Sequence, residues 1–170
     1  EDFDIGQHVL KSFVLKLDSV GNREWLYAFG VDSGYVNNQN NPIELADSSI
    51  LVLCNYINYP GVDGMVSYCY KLNKEGELLW HKLIDTVGQS NMAAVLFNDS
   101  TIFLLTSSNA SQSSIDVEGR VRVLKMDTSG VLLDAATYAE DKYSTTAESI
   151  SITSDQKMLI CGQQYDNGIT

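Results

Sequence analysis

The chain has 170 residues, of which 44% are hydrophobic and 19% charged, a globular composition that excludes disorder and leads us to expect one soluble domain with a sizeable core. Its formal charge of −11, spread without a run of like charges, repels phosphate backbones and anionic headgroups, so nucleic acid is excluded as a natural partner. No apolar run nears the roughly 20 residues of a spanning helix, and EDFDIGQHVL has neither the basic nor the apolar region of a secretion signal, so any such signal is expected to have been removed from this chain.

Helical periodicity is missing, whereas short runs rich in Val, Ile, Leu, Tyr and Thr recur between polar turn clusters, so an all-β chain is predicted. In chain order, an opening loop leads into strands at 12–18 and 23–29, joined through KLDSVGNREW. The loop GVDSGYVNNQNNP follows, then strands at 42–46, 50–57, 65–73 and 77–84, with KLNKEGELLW between the last two. A third group spans 91–97, 101–107, 120–127 and 131–138, with KMDTSGVLLD at the equivalent turn, and the chain closes on strands at 146–152 and 157–163.

The phrase that begins at Lys16, Lys71 and Lys125 has a mechanical reading. An apolar run ends at Asp18, Asn73 or Asp127, whose side chain can bond the backbone of its own turn; Gly21, Gly76 or Gly130 follows three residues later and supplies positive φ without steric cost. A second type of turn, DSS, NDS or TSDQK, separates the other strand pairs. Each period therefore holds four strands, a to d, and four strands in about 50 residues predict a β-propeller-like array of four-stranded antiparallel blades. About three blade equivalents are present: a half-blade at 1–30, blades at 41–85 and 90–139, and a half-blade at 145–166. Three are too few for a propeller of roughly four to eight blades. The chain is then a segment of a longer propeller, the first choice, or one of two copies closing a ring, or an open array.

The motif K-L-D-x-x-G-x-x-x-W, carried by Lys16, Leu17, Asp18, Gly21 and Trp25, resembles the repeat of secreted bacterial β-propeller proteins. Lys71, Leu72, Asn73, Gly76 and Trp80 repeat it, while the third copy keeps Lys125, Asp127 and Gly130 but has Asp134 in place of the tryptophan. It is also distantly similar to the quinoprotein-type repeat, although that turn is one residue longer and no quinone-site residues are recognisable. The resemblance implies an extracellular, cell-surface or periplasmic location and a role in surface attachment, assembly or catalysis. Trp25 and Trp80 occupy equal positions on strand d, so filling the gap between adjacent blades is their simplest role; a sugar-stacking platform is the alternative.

Candidate chemistry is sparse. His8 and His81 lie in different repeats without a ligand neighbour, and His81 is expected to point to solvent, so no metal or cofactor is predicted. Cys54, Cys69 and Cys161 cannot all pair internally; buried free thiols are expected, but a hairpin centred near Gly61 would set Cys54 opposite Cys69 and leave a disulfide open. Ser154 to Lys157 fits an S-x-x-K pattern, yet turn chemistry accounts for it, and the sequons at Asn98 and Asn109 would be incidental in a bacterial protein. Asp63, Asp116 and Glu118, in the b-to-c loops, are the acidic candidates for a mouth that binds a cation or basic partner or hosts a glycosidase pair, with Asp2 and Asp4 in the equivalent opening loop; a solvated loop is the first choice for them. Tyr35, Asn37 and Asn38 belong to an Asn-rich loop whose composition suits adaptable hydrogen bonding to a partner or glycan and equally suits slack between the first two blades. The reading is a non-catalytic module that binds a protein or glycan ligand, completed by a second chain or a further segment; a carbohydrate-active enzyme is the rival, and a purely structural module the third choice.

Overall fold

A computed structural model describes residues 11–29, 35–37, 42–57, 65–85, 89–108, 120–138 and 143–166. These residues form thirteen strands and no helix, arranged in antiparallel sheets. The first sheet pairs β1 (Ser12–Leu17) with β2 (Arg23–Phe29). In the second, β5 (Ile50–Ile57), β6 (Met65–Leu72) and β7 (Leu78–Asp85) lie in order, and β5 carries both β3 (Tyr35–Asn37) and β4 (Ile43–Glu44) on its other edge. The third runs β8 (Gln89–Asn98), β9 (Thr101–Ser108), β10 (Arg120–Asp127) and β11 (Leu132–Tyr138), and the fourth pairs β12 (Tyr143–Ile152) with β13 (Met158–Asp166).

The repeated phrase forms the same hairpin three times. The backbone N–H of Gly21, Gly76 and Gly130 donates to the carbonyl of Asp18, Asn73 and Asp127 at 3.0–3.1 Å, closing a tight turn. Each of these glycines has φ between +82° and +92°, a region in which a Cβ would crowd the chain. The Asx side chain completes the turn: Asp127 Oδ1 accepts from the N–H groups of Ser129 and Val131, both at 2.9 Å, and Asn73 Oδ1 does the same for Glu75 and Glu77 at 3.1 and 2.8 Å. A β-bulge then recurs at one place, since Lys16, Lys71 and Lys125 oppose Trp25, Trp80 and Asp134 while the next pairs are Leu17–Arg23, Leu72–Leu78 and Met126–Leu132. The extra residue is Glu24, Leu79 or Leu133, and in the first two copies the side chain after it, Trp25 or Trp80, points across to the next sheet.

Period-two alternation builds the core on both faces of the inner sheets. From β5 and β6, Val52, Cys54, Tyr56, Val66, Tyr70 and Leu72 pack with Val14 and Phe29 of the first sheet. The opposite face, with Leu51, Leu53 and Cys69, packs against Ile102, Leu104, Leu124 and Met126 of the third sheet. The other side of the third sheet gives Leu105 and Val123 to a cluster with Ala147 and Ile150 of β12. The four sheets thus stack face to face in chain order, and burial of these rows is the main stabilising term, roughly 1.5–3 kcal/mol per large side chain.

Three expectations are corrected. Cys54 pairs with Tyr68 and Cys69 with Leu53, so the two thiols lie one position out of register on opposite faces of the sheet, in different core clusters, and all three cysteines are free. Cys161 is exposed rather than buried. The Asn-rich loop also contains a strand: Tyr35, Val36 and Asn37 pair with Ile57, Tyr56 and Asn55, because a β-prone Tyr-Val pair lies beside a β5 edge that β4 covers only at Ile50 and Leu51.

Candidate functional site

Antiparallel alternation sorts the connections into two ends. At one end are the tight turns around Gly21, Gly76 and Gly130, and those at Leu45–Ser49 and Thr153–Lys157, closed by the same pair of backbone bonds with Ser48 and Gln156 at positive φ. At the other end β5 gives way to β6 through 58–64, and β9 to β10 through 109–119. A scaffold with tight turns at one end and long connections at the other suits recognition by the latter, because loops tolerate changes that paired strands do not.

Asn38, Asp63, Asp116 and Glu118 lie outside the described residues, as do Asp2, Asp4, His8 and Asn109. Tyr35 and Asn37 are placed on β3 opposite Ile57 and Asn55, which puts Tyr35 level with the last residue of β5, at the end from which 58–64 departs. Trp25 and Trp80 are half-buried and point to the next sheet in the stack. The Trp25 ring covers Gly76 so closely that a Cβ there would come within 2.5 Å of it, and its indole N–H donates to the Lys74 carbonyl at 2.8 Å. Trp80 covers Gly130 in the same way, its ring 2.8 Å from where a Cβ would lie, while Lys82 Nζ sits 5.3 Å from the Trp80 ring centroid and donates to the Ser129 carbonyl at 2.7 Å. Gly21, in the first copy, has open space where its Cβ would be.

Beneath the loop-bearing end, polar groups enter the core between the second and third sheets. Asn55 and Ser67 are buried and joined by a hydrogen bond from Ser67 Oγ to Asn55 Oδ1 at 2.9 Å; Thr106 is buried with its hydroxyl unpartnered among the described residues. Between the first and second sheets the same level is aromatic: Phe29 stacks on Tyr70 at 4.8 Å, Tyr56 meets Tyr68 edge-on at 5.3 Å, and the hydroxyls of Tyr56 and Tyr70 bond to each other. Burial raises the pKa of Tyr56 and Cys54 well above their ordinary values and pushes the Cys69 thiol up to about 12, so these groups stay neutral and unreactive at physiological pH. They are core, not nucleophiles. His81 is exposed beside Tyr70, at 5.5 Å between ring centroids.

Ser154–Lys157 is a hairpin turn in which Lys157 pairs with Asp155 at 2.6 Å and donates its backbone N–H to Thr153 Oγ1 at 3.0 Å, so its lysine activates no serine. Among the described residues no three His, Cys, Asp or Glu side chains converge on a point where a metal could bind.

A groove of about 750 Å³ lies between the third and fourth sheets, with Val121, Tyr138, Thr146, Met158, Ile160 and Gly162 among its lining. Sequence reasoning missed it, because it exists only where β13 ends its sheet beside the broader face of β10 and β11; the signal for it was the pairing of a two-strand group with a four-strand group. No protein-family model matches the chain, and no characterised protein matches it.

Proposed function

We propose that the protein is a non-catalytic binding or scaffolding module with propeller-like blades, which presents its loop-bearing end to a protein or glycan ligand outside the cytoplasm. The observation that supports this reading is the division of the stacked sheets into a tight-turn end and an end with the long connections 58–64 and 109–119. Asp63, Asp116 and Glu118 belong to those connections, and Tyr35 is level with the point where 58–64 departs. Closely packed sheets beneath them give the loops a rigid base, which lowers the entropy cost of ordering a binding surface. The acidic loop residues favour a ligand with amine, cationic or hydroxyl groups over an anionic one.

The test is a glycan array and a panel of basic and neutral peptides, probed with the chain and with Asp63→Ala, Asp116→Ala and Glu118→Ala. Binding that weakens at least about tenfold in these variants, and persists in the tight-turn variant Glu75→Ala, supports the module. Turnover of a glycosidase substrate that disappears in Asp63→Asn or Glu118→Gln would defeat it in favour of an enzyme.

A further inference from the structure

We propose that the first and fourth sheets are two halves of one four-stranded sheet, joined between two copies of the chain by antiparallel pairing of β13 with β1 of the second copy. The proposal rests on the blade reading of the repeat above and adds its occupant and register. Among the described residues β1 pairs only with β2, and β13 only with β12. The second and third sheets both contain strands in the order a, b, c, d, whereas among the described residues the first sheet shows c and d, and the fourth a and b. Unpaired edges of this kind are templates for another strand.

The inner sheets also supply the register. Ile50 opposes Leu72, the residue after Lys71, and Ile102 opposes Met126, the residue after Lys125, so in both sheets the first isoleucine of the b strand meets the apolar residue that follows the lysine of the repeated phrase. Transferred to the joint, the rule sets Met158 against Leu17, Ile160 against Leu15, Cys161 against Val14 and Gly162 against Phe13 of the second copy.

Three independent features fit this register. The first is apolar complementarity: Phe13, Leu15 and Leu17 form a row along β1 that is 59, 40 and 49% exposed, on the face away from Val14 and the second sheet. Pairing turns this row onto the groove lined by Met158, Ile160 and Gly162, with the Phe13 ring opposite the residue that has no side chain. The second is facing: Cys161 points away from the third sheet, and Val14 points toward the second sheet of its own copy, so both lie on one side of the joined sheet. The third is charge: Lys71 on β6 reaches Asp47 of the neighbouring a-to-b turn at 3.3 Å, and the equivalent residues at the joint are Lys16 and Asp155, which within one chain pair with Glu24 at 3.1 Å and Lys157 at 2.6 Å and would exchange or share those partners on association. The occupant is a second copy because β1 is the described strand that combines c-type position, an uncovered apolar row and that lysine. The joint is head-to-tail, and two such joints close a ring of about six blades, within the roughly four to eight that propellers use.

The whole chain is tested by light scattering and by cross-linking. The expected particle has twice the 18.8 kDa mass of one chain, and Leu15→Lys, which adds a charge where a lone chain is exposed, reduces it to 18.8 kDa with an unchanged β circular-dichroism spectrum. Val14→Cys gives a covalent dimer on mild oxidation, and adding Cys161→Ser abolishes it. A wild-type particle of 18.8 kDa at every concentration up to about 100 µM overturns the proposal, as does a dimer whose mass Leu15→Lys leaves intact, or a cross-link indifferent to Cys161→Ser. A single-chain particle that still binds ligand through its loops would sink the pairing and spare the binding module; a dimer whose loop variants bind normally would do the reverse.

Discussion

At the scale of single residues, the turn carboxylates carry a testable pH dependence. Hydrogen bonds to the charged form hold several aspartates below their ordinary value of 3.8: from Ser49 for Asp47, which falls to about 2, from Val131 and Ser129 for Asp127, and from Asn22 for Asp18. A carboxylate whose folded pKa lies below its unfolded one stabilises the fold fully above the unfolded value. That contribution declines as the pH falls through the folded value and is gone below it. The protein itself contains the control, since Asn73 makes the same two backbone contacts without titrating. Asp127→Asn is therefore expected to leave stability at pH 7 within about 0.5 kcal/mol of wild type, and to lose less than wild type in urea melts as the pH falls from about 4 to about 2. Asp127→Ala, which removes the acceptor, should cost about 1 kcal/mol at pH 7. The turns were legible because an Asx residue followed by glycine at a fixed offset is a local signal with a local cause. The relation between Cys54 and Cys69 was not: it depends on the register of β5 against β6, where a shift of one position moves a thiol to the other face, and the strands themselves read the same either way.

At the scale of elements, three identical hairpins differ in what lies on their glycines, and that difference separates backbone strain from packing. Gly21 has positive φ and open space, so Gly21→Ala meets only the left-handed cost of roughly 1–2 kcal/mol. Gly76 has the same backbone but lies under Trp25, so Gly76→Ala adds a collision and should cost about 2–4 kcal/mol in a urea melt. In the double variant Trp25→Ala, Gly76→Ala the collision has no partner, and the summed single costs should exceed the double by at least about 1 kcal/mol. Additive costs would mean that the ring moves aside freely and that the Trp25 contact with the neighbouring turn is incidental. From the sequence, the equal spacing of Trp25 and Trp80 pointed to a shared packing role, but not to its partner, because the contact joins one sheet to the turn of the next, across 49 residues between Trp25 and Lys74. β3 was hidden for another reason: its Tyr-Val core is surrounded by Gly and Asn, and only the β5 edge makes those three residues a strand.

At the scale of the whole molecule, the third copy of the phrase departs from the others at the joint where the chain meets its proposed second copy. Trp25 covers the turn of the second sheet and Trp80 that of the third; by the same rule position 134 would cover the Gly21 turn of the second copy, but Asp134 occupies it and is exposed. The joint between chains thus lacks the contact that fastens each inner joint, as befits an interface that assembles from separate chains. The loss of the tryptophan at position 134 was legible in the sequence; the groove between the third and fourth sheets was not, since it depends on how two sheets approach each other, which no local pattern encodes. Restoring the contact is the sharpest test of the arrangement. Asp134→Trp would set a ring over Gly21 and an indole N–H toward the Ser19 carbonyl, the counterpart of the Lys74 carbonyl that Trp25 uses. An aromatic contact of about 0.5–1.5 kcal/mol and a hydrogen bond of about 1 kcal/mol should tighten the dimer by at least about tenfold, read as a lower dissociation constant in sedimentation equilibrium. Adding Gly21→Ala should cancel the gain, because its Cβ would strike the new ring just as one at Gly76 would strike Trp25. A variant that dimerises no more tightly than wild type would mean that position 134 does not face that turn, and that the stacking order read from the inner sheets does not extend across the joint.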